Sequence, residues 1–300
     1  MNHPKDDTVN GEAVDIKSKT LVYKRNCELT ETMSFPASMS RIALGVEYDG
    51  SDFYGFQRQS RSDNTVQGKL EHALSKVADE NITLVCAGRT DSGVHAHEQI
   101  VHFDSMAARP DKAWIRGVNT HLPESIRVHW CKNVGPKFHA RFGAISRTYR
   151  YIIYSAPVAP AVLRTHLTWT PHSLNFEKMR AAALLLEGTH NFDAFRASGC
   201  QAKSPIRTVD YAKFFESGDF LVFEIRANAF LQHMVRNIVG SLLEVGVGKQ
   251  NVSWVAELLA SENRCLAAAT AESCGLYFVK VDFDKSFDLP HRSPGPTFIT

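Results

Sequence analysis

Twice along this chain, strand-type alternation gives way to a helix-type stripe and then returns to strand. In the first half, RIALGVEYDG sets Ile42, Leu44, Val46 and Tyr48 against Ala43, Gly45 and Glu47, the pattern of a half-buried strand ending at an Asp-Gly turn. Thr65 is a candidate N-cap for TVQGKLEHALSKVADE, in which Val66, Leu70, Leu74 and Val77 form one apolar stripe. ITLVCA reads as a short buried strand, and EQIVHFD as another after a polar loop. The second half follows the same plan. RTYRYIIY (147–154) and FLVFEIRANAF read as strands, FEKMRAAALLLEG as a helix stopped by Gly188, LQHMVRNIVGSLLEVG and SWVAELLA as helices, and GLYFVKVDF as a closing strand. This order predicts a mixed α+β (α/β) sheet made by two similar units, 40–144 and 145–285. Residues 1–39 are polar and unpatterned and are expected to be a disordered extension. The tail, 286–300, carries three prolines and is expected to be irregular.

Composition narrows the class. With 44% hydrophobic and 22% charged residues the chain is of ordinary globular type. Its longest apolar run, Ala181–Leu186, is far short of the roughly 20 residues a membrane helix needs, so no membrane partner is expected. The N-terminus has no apolar signal region and carries four acids, which argues against secretory and organelle targeting. Six scattered cysteines without a C-x-x-C pair suit reduced thiols, and a cytoplasmic location is expected. The net charge of +2 says little, but its distribution says more. KFHARFGAISRTYR (137–150) and RASGCQAKSPIR (196–207) are basic, and Phe138, Phe142 and Tyr149 are interleaved with the first. Basic and aromatic side chains together suit nucleic acid, although a solvated positive face would look the same.

The most unusual stretch is CAGRTDSGVHAHEQIVHFD (86–104), with Arg89, Asp91, His95, His97 and His102 around a Ser-Gly turn. A metal site is not expected, because no Cys or carboxylate partner stands at a familiar ligand spacing. Two readings of Arg89 and Asp91 stay open on composition alone. They can be an exposed ion pair worth about 0–1 kcal/mol. Alternatively a strand end delivers Asp91 to a cleft, where a neighbouring arginine keeps it ionised and able to attack carbon.

The letters go further. GRTDSGVHA closely resembles the GRTDAGVHA signature of the tRNA pseudouridine synthases of the A type. ALGVEYDGSDFYGFQRQ, FHARFGAISRTYRYIIY, NAFLQHMVRNIVGSLLEVG and GLYFVKVDF are similar to four further segments of that family, in order, so the resemblance spans residues 41–284. Ser92 stands where the family usually has Ala, Phe56 where it has Trp, and Gln232 where a basic residue is common. The resemblance implies the pseudouridine synthase fold, two similar halves with a largely antiparallel central sheet flanked by helices. It also implies isomerisation of uridine to pseudouridine at positions 38, 39 and 40 of the tRNA anticodon stem-loop, on a flipped-out base, without cofactor or metal, by a homodimer. Asp91 is then the nucleophile and Arg236 its partner. Tyr149 packs on the target base, Arg89 helps to expel or replace it, and Leu276 walls the uracil pocket. Lys137, Arg141, Arg147, Arg150, Lys203 and Arg207 become candidates for contact with RNA phosphates. Attack at C1′, attack at C6 and a glycal route all stay open.

Two rival functions fit parts of the sequence. An RNA-binding module without chemistry would use the basic stretches but leave the GRTD loop unexplained. A glycosidase would need a second carboxylate, and Glu98 is the nearest by sequence.

Overall fold

The described residues of the computed structural model are 35–36, 38–60 and 62–299; the expected disordered extension therefore lies almost wholly outside them. The first half runs β1 (Ser40–Tyr48), α1 (Val66–Ala78), β2 (Leu84–Cys86) and β3 (His95–Ser105). A π-helical turn, Ala113–Gly117, then leads through α2 (Val118–His121) to β4 (Ile126–Asn133). The second half runs β5 (Ser146–Ser155), β6 (Thr168–Thr170), α3 (Phe176–Leu184), β7 (Gly188–Asn191), β8 (Ile206–Ser217), β9 (Phe220–Ala227), α4 (Met234–Gly246), α5 (Trp254–Ser261) and β10 (Leu276–Asp282).

All these strands join one sheet in the order β4-β1-β3-β10-β5-β9-β8-β7, with β2 beside β3 and β6 beside β5. The pairing is antiparallel except for β10 on β3 and β6 on β5. The expected mixed, largely antiparallel sheet is the one observed. The halves meet where β10 lies parallel to β3 through Tyr277↔His95 and Phe278↔Ala96, while pairing antiparallel with β5 on its other side. Period-two alternation along β10 divides the two faces at this seam. Leu276 and Phe278 belong with Tyr149, Tyr151 and α4 in the main core. Tyr277 and Val279 belong with Ile152, Leu167 and Ile299 in a second, smaller core behind the sheet.

Three local expectations change on folding. β1 is buried along nearly its whole length instead of on one face only. The reason is visible at Gly45: a Cβ there would stand 2.1 Å from the indole nitrogen of Trp130 on β4, so the glycine admits a large neighbour that covers the strand. α3 ends before Gly188. Its last turn tightens through Leu185, Leu186 and Glu187, each bonding three residues back, and Gly188 at φ +103 opens β7 instead. α4 begins at Met234, three residues later than its apolar pattern, because His233 sits in the left-handed region at φ 61. Thr65 caps α1 as expected, accepting from Gly68 N at 3.2 Å.

Beyond the short 3₁₀ turn at Lys285–Phe287, the tail has no regular structure, and it straps the rear of the sheet. Arg292 donates to His97 O at 2.6 Å and pairs with Glu47 at 3.1 Å. Ser293 O faces His97 Nε2 at 3.0 Å, and Phe298 and Ile299 pack into the rear core. Among the described residues no helix is long and apolar enough to cross a membrane.

Candidate active site

The loop Ala87–Val94 joins β2 to β3 at the seam between the halves, and it is tied down from both sides. Gln99 Nε2 donates to Gly88 O at 2.6 Å. Thr90 shares a hydrogen bond with Tyr48 OH at 2.8 Å, and its carbonyl accepts from Phe56 N at 3.0 Å. Ser92 Oγ donates to Phe53 O at 3.1 Å. Val94 N closes the turn on Asp91 O at 3.2 Å. Gly93 has φ +76, and a Cβ on it would lie 2.4 Å from Ser273 Oγ, so this turn needs glycine twice over. A rigid frame therefore carries Asp91 at its apex.

Asp91 is partly exposed, at 30% of its side chain. Two side chains reach it from the start of α4: His233 Nε2 at 3.5 Å and Arg236 Nη1 at 3.7 Å, both closest to Oδ2. Arg236 is fixed in turn by donating from Nε to Ala271 O at 2.8 Å. Neither oxygen of Asp91 accepts a hydrogen bond among the described residues. The carboxylate thus stands beside the Arg236 guanidinium while its lone pairs stay unspent.

Tyr149 lines the same place. Its ring meets Phe230 at 4.9 Å and Phe278 at 5.0 Å, both edge-on. Burial pushes its phenol up, and the neighbouring Tyr48 and Asp91 push it further, so it stays neutral. Leu276 lies one pleat from Phe278 on the same face and is 5% exposed. Arg89, on the loop, is exposed. Below it, burial pushes the Cys86 thiol up to about 11, with the charges of Arg89 and Arg141 pulling the other way, which sets both guanidinium groups near the loop's base. The second basic stretch comes close too: Ala197 N donates to Gln232 O at 3.1 Å, next to His233.

Two arginines differ from the free cations that the sequence suggests. Arg147 gives its donors to the carbonyls of Ala87, Ala144, Asn228 and Arg141, which makes it a brace under the Ala87–Val94 loop. Arg150, on the rear face, pairs with Glu224 at 2.6 Å and donates to Pro294 O and Gly295 O. Glu98, the second carboxylate that a glycosidase would need, is 1% exposed and accepts from Trp130 Nε1 and Arg292 N.

The histidines of residues 86–104 part company. His102 accepts from Ala140 N at 3.1 Å, and His97 turns to the tail. His95 meets Asp49 and His166, a trio whose ligand atoms lie within 4.8 Å of one another. Its Nδ1 accepts from Gly50 N, its Nε2 faces the carbonyls of Thr165 and Cys274, and Asp49 accepts from Ser51. Hydrogen bonds within the fold account for this cluster. The sequence does not single out His233. Only its place three residues before Arg236, in the same motif, could have pointed to it.

Comparison with known proteins gives this geometry a family. The tRNA pseudouridine synthase family matches residues 45–143 and 182–284, segments that carry Asp91, Arg236 and Leu276. A tRNA pseudouridine synthase A of Pseudomonas aeruginosa is 48% identical over 267 residues, 89% of this chain and 94% of that one. The protein of the same name from Escherichia fergusonii is 53% identical over 259 residues, 86% of this chain and 96% of that one. That from Alcanivorax borkumensis is 50% identical over 261 residues, covering 87% and 98%. With both halves of the sheet matched and the likeness running nearly end to end in these relatives, the chain belongs to the tRNA pseudouridine synthase family and is an isomerase that acts on tRNA.

Proposed function

We propose that the chain converts uridine to pseudouridine at positions 38, 39 and 40 of the tRNA anticodon stem-loop, with Asp91 as nucleophile. One observation carries this reading: Asp91 stands beside Arg236 and His233 at the apex of a braced loop, and neither of its oxygens accepts a hydrogen bond among the described residues. A carboxylate so placed keeps electron pairs for carbon.

The target base is stacked in its stem-loop and must be flipped out, at a cost of a few kcal/mol. The neutral ring of Tyr149 supports it, in a contact worth about 1–3 kcal/mol. Leu276 walls the pocket, and Arg89 takes the space that the base leaves. The C1′–N1 bond breaks, uracil turns, and C5 bonds to C1′. The hydrogen at C5 leaves as a proton and N1 gains one, so atoms and electrons balance without redox chemistry. Lys137, Arg141, Lys203 and Arg207 contact phosphates, while Arg147 and Arg150 hold the framework. The enzyme works as a cytoplasmic homodimer with tRNA laid across both subunits.

Unmodified tRNA carrying tritium at uracil C5 tests the proposal. Label is released to water, and mapping places pseudouridine at the three positions. Binding weakens with salt at a log–log slope of about 0.7–0.9 per neutralised phosphate. Release of free uracil, or a flat salt response, refutes it.

A further inference from the structure

We infer that His233 is a positioning residue for Asp91, holding Oδ2 so that Oδ1 is the oxygen presented to the substrate. The inference rests on the reading of Asp91 as nucleophile. It begins from a local oddity. His233 occupies the N-cap position of α4, where the usual residue is Ser, Thr, Asp or Asn in an extended conformation, its side chain accepting from the first turn. His233 does neither. Its backbone is left-handed, at φ 61 and ψ 3, and its side chain makes no capping bond. Left-handed backbone is strained for an L residue and free of strain for glycine. Nothing in the local backbone asks for an imidazole here.

The ring is used elsewhere. Its Nε2 stands 3.5 Å from Asp91 Oδ2, with 32% of the side chain exposed, so it forms the outer edge of the site. The backbone that aims it is held on both sides. Met234 N bonds Leu231 O at 3.1 Å, Asn237 N bonds His233 O at 2.9 Å, and Gln232 is joined to Ala197 and Cys200. Arg236, the other partner of Oδ2, is more buried and anchored to Ala271. The two partners therefore divide the work. Arg236 supplies a fixed charge from inside. His233 supplies a donor from the cleft side, as neutral Nε2–H tautomer or as imidazolium. With both closest to one oxygen, rotation of the carboxylate about its Cβ–Cγ bond is restricted. A contact of 3.5 Å is long for a hydrogen bond, and tightening when substrate closes the site is ordinary behaviour for catalytic contacts.

The test uses His233→Gly and His233→Asn in the full-length protein, with Asp91→Asn beside them. Glycine relieves the backbone strain while removing the ring, so the two roles move in opposite directions. We expect His233→Gly to keep or raise Tm, to lose about 10- to 100-fold in kcat, and to leave KM for tRNA within about twofold. Free imidazole restores part of the rate in His233→Gly and none in Asp91→Asn. His233→Asn, which tolerates the left-handed backbone but cannot reach Asp91, behaves like the glycine variant without added imidazole. The inference is overturned if kcat in His233→Gly stays near wild type, if the loss appears in KM alone, or if both variants lose Tm along with rate and imidazole restores nothing. Tritium release undiminished in Asp91→Asn would instead refute the nucleophile reading, whatever His233 does.

Discussion

Asp91 and Asp49 stand on opposite sides of the same sheet, each beside histidine, and they are held in opposite ways. At the front, His233 and Arg236 reach Asp91 at 3.5 and 3.7 Å, and no described residue hydrogen-bonds its carboxylate. At the rear, Asp49 Oδ1 accepts from Ser51 N at 2.9 Å and Ser51 Oγ at 2.6 Å, and His166 Nε2 lies 3.1 Å from Oδ2. Partial burial alone would raise the Asp49 carboxyl, but the close approach of His95 at 3.1 Å and the hydrogen bonds from Ser51 hold it far below the usual range. Glu47 behaves alike, overcoming burial through His129, His97 and Arg292. The same residue types thus make two kinds of site. A carboxylate whose oxygens accept several hydrogen bonds is a fastening. One beside a guanidinium with its lone pairs free has the arrangement that the proposed nucleophile needs.

The contrast breaks most readily at Asp91. Asp91→Asn should lower tritium release on the order of 10⁴-fold or more, as expected for the central member of a catalytic unit. Its Tm should hardly change, because no hydrogen bond is lost. An asparagine variant with more than a small residual rate would end the distinction between the faces. Arg236→Ala comes next. We expect about 10²–10³-fold lower kcat from the lost charge. A stability loss of about 1–3 kcal/mol should accompany it, because Ala271 O loses its partner. Asp49→Ala is the mirror experiment. Thermal unfolding should show a loss of about 1–3 kcal/mol as His166 and Ser51 lose their acceptor. The folded enzyme should keep kcat within a few-fold. A large drop in kcat at unchanged stability would show that the rear face takes part in the chemistry.

The sequence carries the front site better than the rear. Asp91, Tyr149, Arg236 and Leu276 each sit in a recognisable run of letters, and folding brings those runs to one seam. The rear network joins Glu47, His97, His129 and Arg292, which are scattered along the chain. No local pattern announces such a meeting, because only the pairing of β1 with β3 and β4 and the return of the tail create it. Helix and strand types were legible from periodicity, but some ends were not. The apolar stripe of α4 continues back through Leu231, and only the left-handed backbone at His233 delays the helix. Arg147 and Arg150 read as surface charges because spacing cannot reveal that carbonyls from other segments surround them.

The smallest predicted effect separates the fastenings themselves by pH. His102 is 4% exposed and accepts from Ala140 N, and burial, helped by the charges of Arg41 and His139, pushes its imidazole down from 6.5 to about 3. Between those values the unfolded chain binds a proton at this position that the folded chain refuses. Stability therefore falls as pH drops below 6.5, by at most about 1.4 kcal/mol per pH unit for one proton. Asp49 and Glu47 act in a lower window. Their folded carboxyls are depressed, so their contribution is complete above the unfolded values near 4 and is lost only as pH falls below them. Urea unfolding at a series of pH values should thus show a slope that starts near 6.5 and steepens near 4. His102→Gln keeps an acceptor for Ala140 N but cannot titrate, and it should flatten the upper part while leaving the lower part unchanged. His139, held down to about 4, leaves some residual slope in that variant. If His102→Gln keeps the full slope above pH 4.5, the buried neutral imidazole of His102 is not its source.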